Sequence, residues 1–238
     1  MKLLLSVFVL STLIFTSCVK DTPKYEVIKA PVSISFQHKL NGNSFSYSTN
    51  FINDLGQTIE LTRASIYFSK PSIDSASFSD TYGYITPDSS LWELGDLFGG
   101  DYTDISFDAG IDAATNHADV ALLPLGHPLG FQTPSTHWNW SLGYLWLILE
   151  GEVDSDNDGT PDQGFIYHIG KDELLQSLTF NSPFSVLNND PIMISGEIDW
   201  AKFLNGIDVI ANPVSHTNDN LPLATSLMNN SGAAISIN

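Results

Sequence analysis

The chain has 238 residues, with 27 Asp and Glu against 9 Lys and Arg, so its formal net charge is −18 at pH 7. Affinity for a phosphate backbone depends on clustered Lys and Arg, so this charge argues against nucleic acid as a partner and is compatible with cations. A single cysteine excludes an internal disulfide within one chain.

The N-terminal segment has the layout of a secretory signal, with Lys2, an apolar run over residues 3–15, and small polar residues leading to Cys18. The apolar run is too short to span about 30 Å of hydrocarbon as a helix. Cys18 stands where a lipoprotein signal places the acylated cysteine, although Phe15 replaces the usual leucine. We predict a lipoprotein signal peptide over residues 1–18 and lipidation at Cys18. The alternative is an ordinary signal that happens to contain a cysteine.

These features predict an exported protein, anchored in the cell envelope on the periplasmic side or at the cell surface. Residues 19–30 are polar and are predicted to be a tether, followed by a single β domain over residues 31–238. The membrane is therefore one predicted partner, through the lipid on Cys18.

Alternation of apolar and polar residues predicts strands through most of the domain. The stretch 70–140 shows little periodicity and is predicted to contain long loops. Asp199 is a candidate cap for a short turn, and Asn220 with Pro222 predicts a C-terminal helix through Met228. The fold class is all-β, an antiparallel sandwich or barrel with long loops and a short C-terminal helix. The predicted strands include residues 32–38, 59–64 continuing into 66–68, 143–150, 165–169 and 192–198.

An acidic segment between two predicted strands has the alternation of a calcium loop. Calcium takes six to eight oxygen ligands, and carboxylates at alternate positions around a glycine turn can converge on one ion. The twelfth position, where a full EF-hand has glutamate, is Phe165, so the segment resembles shorter calcium loops. A solvated acidic turn is the alternative. The predicted calcium ligands are Asp154, Asp156, Asp158, the carbonyl of Thr160, and Asp162.

Six histidines are candidates for a copper or zinc site because imidazole is a common ligand of both metals. His38 continues the apolar face of its strand, and His168 shares a face with Ile166, so both are predicted to point inward. A buried histidine with a hydrogen-bond partner is the alternative for each. No spacing between histidines identifies a site by itself.

Short segments spread along most of the chain carry a family resemblance. They are, in chain order, Phe36–His38 with Asn41–Gly42, Ser65–Ser69, Phe107–Asp112 with Asn116, His137–Tyr144, Glu150–Gly151, Phe165–Gly170 and Ser215–Asn220. In this order they resemble the MbnP-like family of exported copper-binding proteins associated with methanobactin handling, which includes bacterial lipoproteins. The resemblance implies a β-rich domain in which histidines bind copper, in some members beside a tryptophan oxidised by a di-haem peroxidase-like partner.

Carried onto this chain, the resemblance implies His38, His168 and His216 as copper ligands, with His137 as a fourth candidate at a position where the family often has methionine. Trp138 or Trp140 would be the oxidised tryptophan. Aromatic residues two apart on a strand more commonly pack in a core, which is the alternative for this pair. Asp112 and Asn116 are expected to buttress the loop.

Three function classes compete. A copper-binding lipoprotein accounts for the signal, the histidines and the resemblance. A cell-surface module for glycan or protein, stiffened by calcium, would account for the aromatic-rich loops. An enzyme fits worst, because the sequence contains no G-x-S-x-G or H-E-x-x-H motif and its one cysteine is assigned to the anchor. We therefore predict a binding protein and not an enzyme.

Overall fold

The computed structural model describes residues 26–139 and 143–238, and these residues form a β-sandwich with few helices. The strands are β1 (Lys29–Leu40), β2 (Asn43–Ser44), β3 (Phe51–Ile52), β4 (Thr58–Ile73), β5 (Ala76–Ser77), β6 (Gly83–Ile85), β7 (Leu91–Phe98), β8 (Gly100–Ala109), β9 (His137–Asn139), β10 (Gly143–Tyr144), β11 (Leu147–Val153), β12 (Gln163–Ile169), β13 (Gln176–Val186), β14 (Ile192–Asp199), β15 (Val214–Ser215) and β16 (Ile235–Ile237). The α-helices are α1 (Ala113–Asn116), α2 (Leu221–Asn229) and α3 (Ser231–Ala234), and short 3-10 helices cover Val120–Leu122, Asp172–Leu174 and Trp200–Leu204.

Within the described ranges, the strands form one sheet of nine, one of five and a two-stranded ribbon of β9 and β10. The larger sheet has the order β13-β8-β4-β11-β12-β15, with β3, β5 and β6 also paired to β4. In the smaller sheet β1 lies between β14 and β7, and the order continues from β14 to β16. The pairings of β1 with β14 and of β12 with β15 are parallel, so the sheets are mixed and not purely antiparallel as predicted.

The core lies between the two larger sheets. Phe36 of β1 contacts the ring of Phe68 of β4 across the interface, with ring centroids 5.2 Å apart. Trp92 of β7 packs on the same Phe68 at 5.6 Å. These aromatic side chains are at most 3% exposed, and the burial of alternate residues on facing strands is what stabilises a sandwich.

The strands predicted from alternation are confirmed in β1, β4, β12 and β14, and the fold class is confirmed as all-β and sandwich-like. The predicted strand over 143–150 is interrupted, because β10 ends at Tyr144 and β11 begins at Leu147. The prediction of long loops over 70–140 was too broad. It missed β5 to β8, and the long irregular segment is confined to residues 110–136.

The C-terminal helix α2 is confirmed, and the side chain of its N-cap Asn220 accepts a hydrogen bond from the Leu223 N–H. The turn after Asp199 is also present, but the Asp199 side chain does not cap it. Its two carboxylate oxygens instead accept the N–H groups of Asn41 and Gly42, each at 2.9 Å. A partner from a distant turn therefore replaces the predicted local cap.

β1 starts at Lys29, and Ala30 is completely buried. The signal peptide, Cys18, Trp140 and most of the tether lie outside the described residues. In the described part of the chain, no helix combines the length and the apolar character needed to cross a bilayer.

Candidate metal centre

Three polar side chains meet on the outer face of the larger sheet. Arg63 of β4 and Glu150 of β11 are directly opposite in the strand pairing, and His168 of β12 is diagonal to Glu150. Arg63 Nη1 donates to Glu150 Oε1 at 2.8 Å, and His168 Nε2 lies 2.8 Å from the same oxygen. The three side chains are only 18%, 27% and 17% exposed, so partial burial strengthens this charged network.

The backbone next to Glu150 is adapted to this arrangement. The pairing of β11 with β4 shifts register between Glu150 and Gly151, as at a β-bulge. A Cβ atom at Gly151 would collide with the carbonyl oxygen of Glu60, so glycine permits the close approach of the two strands. Bulges of this kind commonly aim a side chain next to a functional site.

The charge state of Glu150 is fixed by its neighbours. Burial raises the pKa of its carboxyl, but hydrogen bonds from His168 and Arg63, together with the positive charge of Arg63, outweigh burial and lower that pKa. An ionised Glu150 can only accept hydrogen bonds, so His168 donates through Nε2–H, and in the neutral ring Nδ1 then carries the lone pair. No hydrogen bond to Nδ1 of His168 is found among the described residues.

His168 points away from the core, contrary to the prediction. Its neighbours Tyr167 and Ile169 are buried, whereas Ile166 on its own face is 38% exposed. The match of His168 to an apolar face was misleading because Ile166 lies on the outer face. This position brings His168 to Trp138 of β9 and to His216, and not into the sandwich.

The C-terminal tail brings His216 to His168. β15 pairs with β12, and the buried Thr217 then fixes the tail, because its hydroxyl donates to the His168 carbonyl and accepts the Gly170 N–H, each at 3.0 Å. The rings of His168 and His216 are 5.4 Å apart and nearly perpendicular. Asp219 accepts the His216 backbone N–H at 2.8 Å, and its other oxygen lies 3.2 Å from His216 Nδ1.

Trp138 of β9 completes a three-ring group with the histidine pair. Its indole stacks on His216 at 5.4 Å with an interplanar angle of 21° and meets the edge of His168 at 6.4 Å. Trp138 is 39% exposed, so one side of the indole is open to solvent. We call His168, His216 and Trp138 the histidine–tryptophan group.

The structure does not bring His38 to this group. Trp200 Nε1 donates to His38 Nδ1 at 3.0 Å, and His38 Nε2 lies 3.1 Å from Ser90 Oγ, so both ring nitrogens are occupied. No hydrogen bond or ring contact within residues 26–139 and 143–238 joins His38 to His168 or His216. The alternative of a buried, hydrogen-bonded histidine describes His38 better than the predicted copper ligand.

His137 also faces elsewhere. Its ring packs on Tyr144 at 4.8 Å, on the face of β9 opposite to Trp138. Burial lowers the pKa of His137, opposed by the charge of Asp119. Its place beside Trp138 in sequence therefore does not give it a place in the histidine–tryptophan group.

The acidic segment forms the turn of the β11–β12 hairpin, as predicted. Carboxylate oxygens of Asp154, Asp156 and Asp158 lie within 4.8 Å of one another, and they are the one set of three or more such ligand atoms from His, Cys, Asp or Glu in the described ranges. Asp154 is 4% exposed, and its Oδ2 accepts the Gly159 N–H at 2.8 Å. Gly159 has φ of +93°, which permits the tight turn.

The other two predicted calcium ligands, Asp162 and Thr160, make hydrogen bonds elsewhere in the turn. Asp162 is not in the three-aspartate group, and its Oδ1 accepts the Ser155 N–H at 3.0 Å at the start of the loop. That backbone hydrogen bond lowers the pKa of Asp162. Thr160 donates its N–H to Asp158 Oδ1 at 2.8 Å, which holds it in the turn next to the cluster.

Comparison with known proteins decides the family. A sequence profile described as MbnP matches residues 29–221, which is most of the chain. The chain belongs to the MbnP family. Among solved structures it is similar to MbnP from Methylosinus trichosporium, at 15% sequence identity and a TM-score of 0.48, over 74% of this chain and 77% of that chain. Comparison with curated protein sequences gave no significant match.

Two residues of the MbnP-like segments hold the loop that leads to Trp138. The Asp112 side chain caps α1 by accepting the Thr115 N–H at 3.3 Å and its hydroxyl at 3.0 Å. Asn116 is completely buried, and its Oδ1 accepts the Tyr144 N–H at 2.8 Å. The buttressing role expected for both residues is confirmed. Gly143 is required beside them, because a Cβ there would overlap the Asn116 side chain.

Sequence reasoning missed the carboxylates of this candidate site, Glu150 and Asp219. Glu150 was part of a matching segment but received no role, and Asp219 follows His216 within another matching segment. The available signal was the pairing of β11 with β12, which places Glu150 and His168 on one face. Arg63 gave no signal, since its contact with Glu150 depends on a strand pairing distant in sequence.

Proposed function

We propose that this MbnP-family protein binds and handles copper at the histidine–tryptophan group and does so as an exported protein anchored through Cys18. The observation that carries the copper proposal is the paired orientation of His168 and His216. Each imidazole has one nitrogen at hydrogen-bond distance from a carboxylate, Glu150 for one and Asp219 for the other. The role is binding and delivery, without a catalytic step.

The donor chemistry suits copper. Metal-binding histidines generally hold one ring nitrogen on a carboxylate, which fixes the tautomer and makes the other nitrogen a better ligand. Here the carboxylates leave Nδ1 of His168 and Nε2 of His216 to bind metal, and imidazole is a favoured ligand of copper. Bound copper would supply redox chemistry at a group that includes Trp138. The two histidines come from β12 and from the tail that Thr217 fixes, so the protein holds them in place.

The copper proposal is tested with His168→Ala and His216→Ala. Each variant should lose most bound copper in protein purified without chelator, because one imidazole alone is a weak site. Metal content is measured by mass spectrometry on the full chain. His127→Ala is the matched control, since His127 lies outside the group and its Nδ1 accepts the Leu129 N–H. Undiminished copper in both test variants would refute the site.

A further variant tests whether copper binding depends on the orientation of His168 as well as on its presence. Glu150→Gln keeps the size of the side chain but removes the charge that orients His168. We expect copper affinity to fall by about 10 to 100-fold, the usual effect of losing such a partner. Competition with a copper chelator measures it. An affinity equal to that of the wild type would show that Glu150 does not orient a ligand.

Trp138 is the proposed oxidised tryptophan, and a di-haem peroxidase-like protein is its proposed oxidant. The support is its contact with both histidine rings together with 39% exposure, which would let a protein partner reach the indole. Trp140 lies outside the described residues and stays a candidate on sequence alone.

We also propose that the acidic loop binds calcium as a structural ion. Asp154, Asp156 and Asp158 provide three converging carboxylates, and the Thr160 carbonyl and Asp162 would have to close around the ion for the full predicted set. Calcium would neutralise this cluster and stiffen the β11–β12 hairpin that carries Glu150 and His168. Calcium therefore supports the copper site without touching it.

Calcium removal should lower the melting temperature. A ligand at 100 times its Kd stabilises by about 2.7 kcal/mol, which corresponds to roughly 5–10 °C in a domain of this size. In copper-free buffer, EGTA should produce this decrease in the wild type but not in an Asp156→Asn, Asp158→Asn double variant. Asp190→Asn, at an exposed turn, should respond like the wild type. A wild-type melting temperature indifferent to EGTA would remove the calcium proposal.

A further inference from the structure

A patch of exposed apolar side chains surrounds the start of the folded body. Val27, Phe98 and Leu187 are 67%, 59% and 77% exposed, and Ile28 is 36% exposed. These residues, which we call the exit patch, come from the chain preceding β1, the end of β7 and the segment after β13. They line an open groove of ≈ 420 Å³. Contiguous exposed apolar residues in a soluble domain usually mark a contact surface.

The exit patch is held in place by backbone and charge contacts. Gly99 N–H donates to the Ile28 carbonyl at 2.9 Å, and a Cβ at Gly99 would lie 2.9 Å from Ile28 Cβ, so the two segments are in close contact. Lys29 forms an ion pair with Asp96 at 2.9 Å and its ammonium lies 5.9 Å from the centre of the Phe98 ring. The apolar groups are therefore presented by an ordered surface.

The chain between this patch and the proposed anchor is short. Glu26 is eight residues after Cys18, which even fully extended spans at most about 29 Å. A lipid on Cys18 would thus keep the exit patch near the bilayer surface. Lys20 and Lys24 lie between Cys18 and β1, and Lys29 is the first residue of β1, so with Asp21 and Glu26 this part of the chain has a small positive charge that suits headgroup phosphates.

We propose that the exit patch rests in the interfacial region of the bilayer and fixes the orientation of the domain; this rests on the proposed anchor at Cys18. A lipid surface suits the patch because its residues are aliphatic or aromatic, and the charged residues at its edge, Lys29 and Glu26, are of opposite sign. The lipid on Cys18 attaches the chain but leaves the tilt of the domain free, and a second apolar contact would fix that tilt.

The orientation has a consequence for the copper site. β8 begins at Gly100 beside the exit patch and ends at Ala109, roughly 30 Å away at about 3.3 Å per residue. Ala109 pairs with Phe68, and the pairing continues away from the patch along β4 to Ser65, level with Ile148 and His168. A domain seated on the exit patch therefore presents the histidine–tryptophan group to the aqueous side, where a soluble partner can reach it.

The test uses single labels on the lipidated full chain. Acylation occupies Cys18, the one native cysteine, so Leu187→Cys provides the one free thiol for a bimane label. Val27→Cys is a second position in the exit patch, and Leu125→Cys, fully exposed in the loop beyond β8, is the matched control. Each protein is reconstituted in phosphatidylcholine–phosphatidylethanolamine nanodiscs with and without spin-labelled lipid, and acylation is verified by mass spectrometry.

The emission maximum of labels in the exit patch should shift to the blue on reconstitution. The spin-labelled lipid should quench about half of their fluorescence, as expected for burial about 5–10 Å into the interface. The label at position 125 should do neither. If Cys18 is acylated but the labels at positions 27 and 187 are unquenched, the proposed orientation is overturned and the anchor stands. An emission that shifts to the blue without quenching would also overturn the orientation, because it would show that protein and not lipid covers the patch. An unacylated Cys18 would instead refute the anchor, and the orientation with it.

Discussion

Replacing Asn116 with leucine is expected to destabilise the protein by about 2–6 kcal/mol, because two buried donors would lose their acceptor at a cost of about 1–3 kcal/mol each. Asn116 Oδ1 accepts the Tyr144 N–H at 2.8 Å and the Trp146 Nε1–H at 3.2 Å, and its amide donates to Asp172 Oδ1 at 2.8 Å. Leucine fills a similar volume, so the loss reflects hydrogen bonds and not a cavity. Urea unfolding followed by tryptophan fluorescence measures it.

The effect should extend to copper binding. Asn116 joins the loop over residues 110–136 to β10 and to the segment before β13. Because this loop leads into β9, the loss of Asn116 should make the position of Trp138 less fixed. Asn43→Leu is the control, since Asn43 is exposed and makes no side-chain hydrogen bond with the described residues. It should change the free energy of unfolding by less than about 0.5 kcal/mol. An Asn116→Leu variant as stable as this control would show that the loop does not depend on these hydrogen bonds.

The elements that sequence predicted are those whose signal is local. β1 and β14 alternate apolar and polar residues, and α2 begins with a capping Asn220 followed by proline. The acidic turn between β11 and β12 could also be predicted from sequence, because its alternating aspartates and glycine specify a tight loop. The family could be named because short segments matched in order along most of the chain.

The elements that sequence missed depend on distant partners. β8 and β13 are rich in Asp, Ser, Thr and Asn, which resemble turns in isolation, yet they pair with each other along nearly their whole length. β propensity is strongly dependent on such context. Asp199 shows the same effect, because the N–H groups of Asn41 and Gly42 compete successfully for its carboxylate.

The candidate site was only half predictable for the same reason. His168 and His216 meet because β15 pairs with β12 and Thr217 fixes the tail. The family resemblance placed His38 with them, and the alternation of its strand predicted only an inward side chain, which the structure shows. Its partners there are Ser90 and Trp200, which periodicity cannot identify.

The environment of His38 makes the stability of the fold depend on pH. Burial, partly opposed by the charge of Asp88, lowers the pKa of His38 from 6.5 to about 4. The neutral ring accepts a hydrogen bond from Trp200 Nε1–H on Nδ1, which a protonated ring could not do. Its other nitrogen is then the protonated one and donates to Ser90. His38 therefore favours folding in its neutral form.

The sign of the dependence follows from proton binding. Between pH 4 and 6.5 the unfolded state binds a proton at His38 and the folded state does not, so the free energy of unfolding falls as pH decreases through this range. The contribution is fully present above pH 6.5, and the loss amounts to about 2–3 kcal/mol by pH 4. His38→Gln can accept from Trp200 and donate to Ser90 without titrating, so this part of the pH dependence should disappear. His127→Gln should retain it. The free energy of unfolding of the three proteins is measured by urea unfolding at intervals from pH 4 to 7.5. If it changes with pH equally in the wild type and in His38→Gln, then burial does not hold His38 neutral in the folded protein.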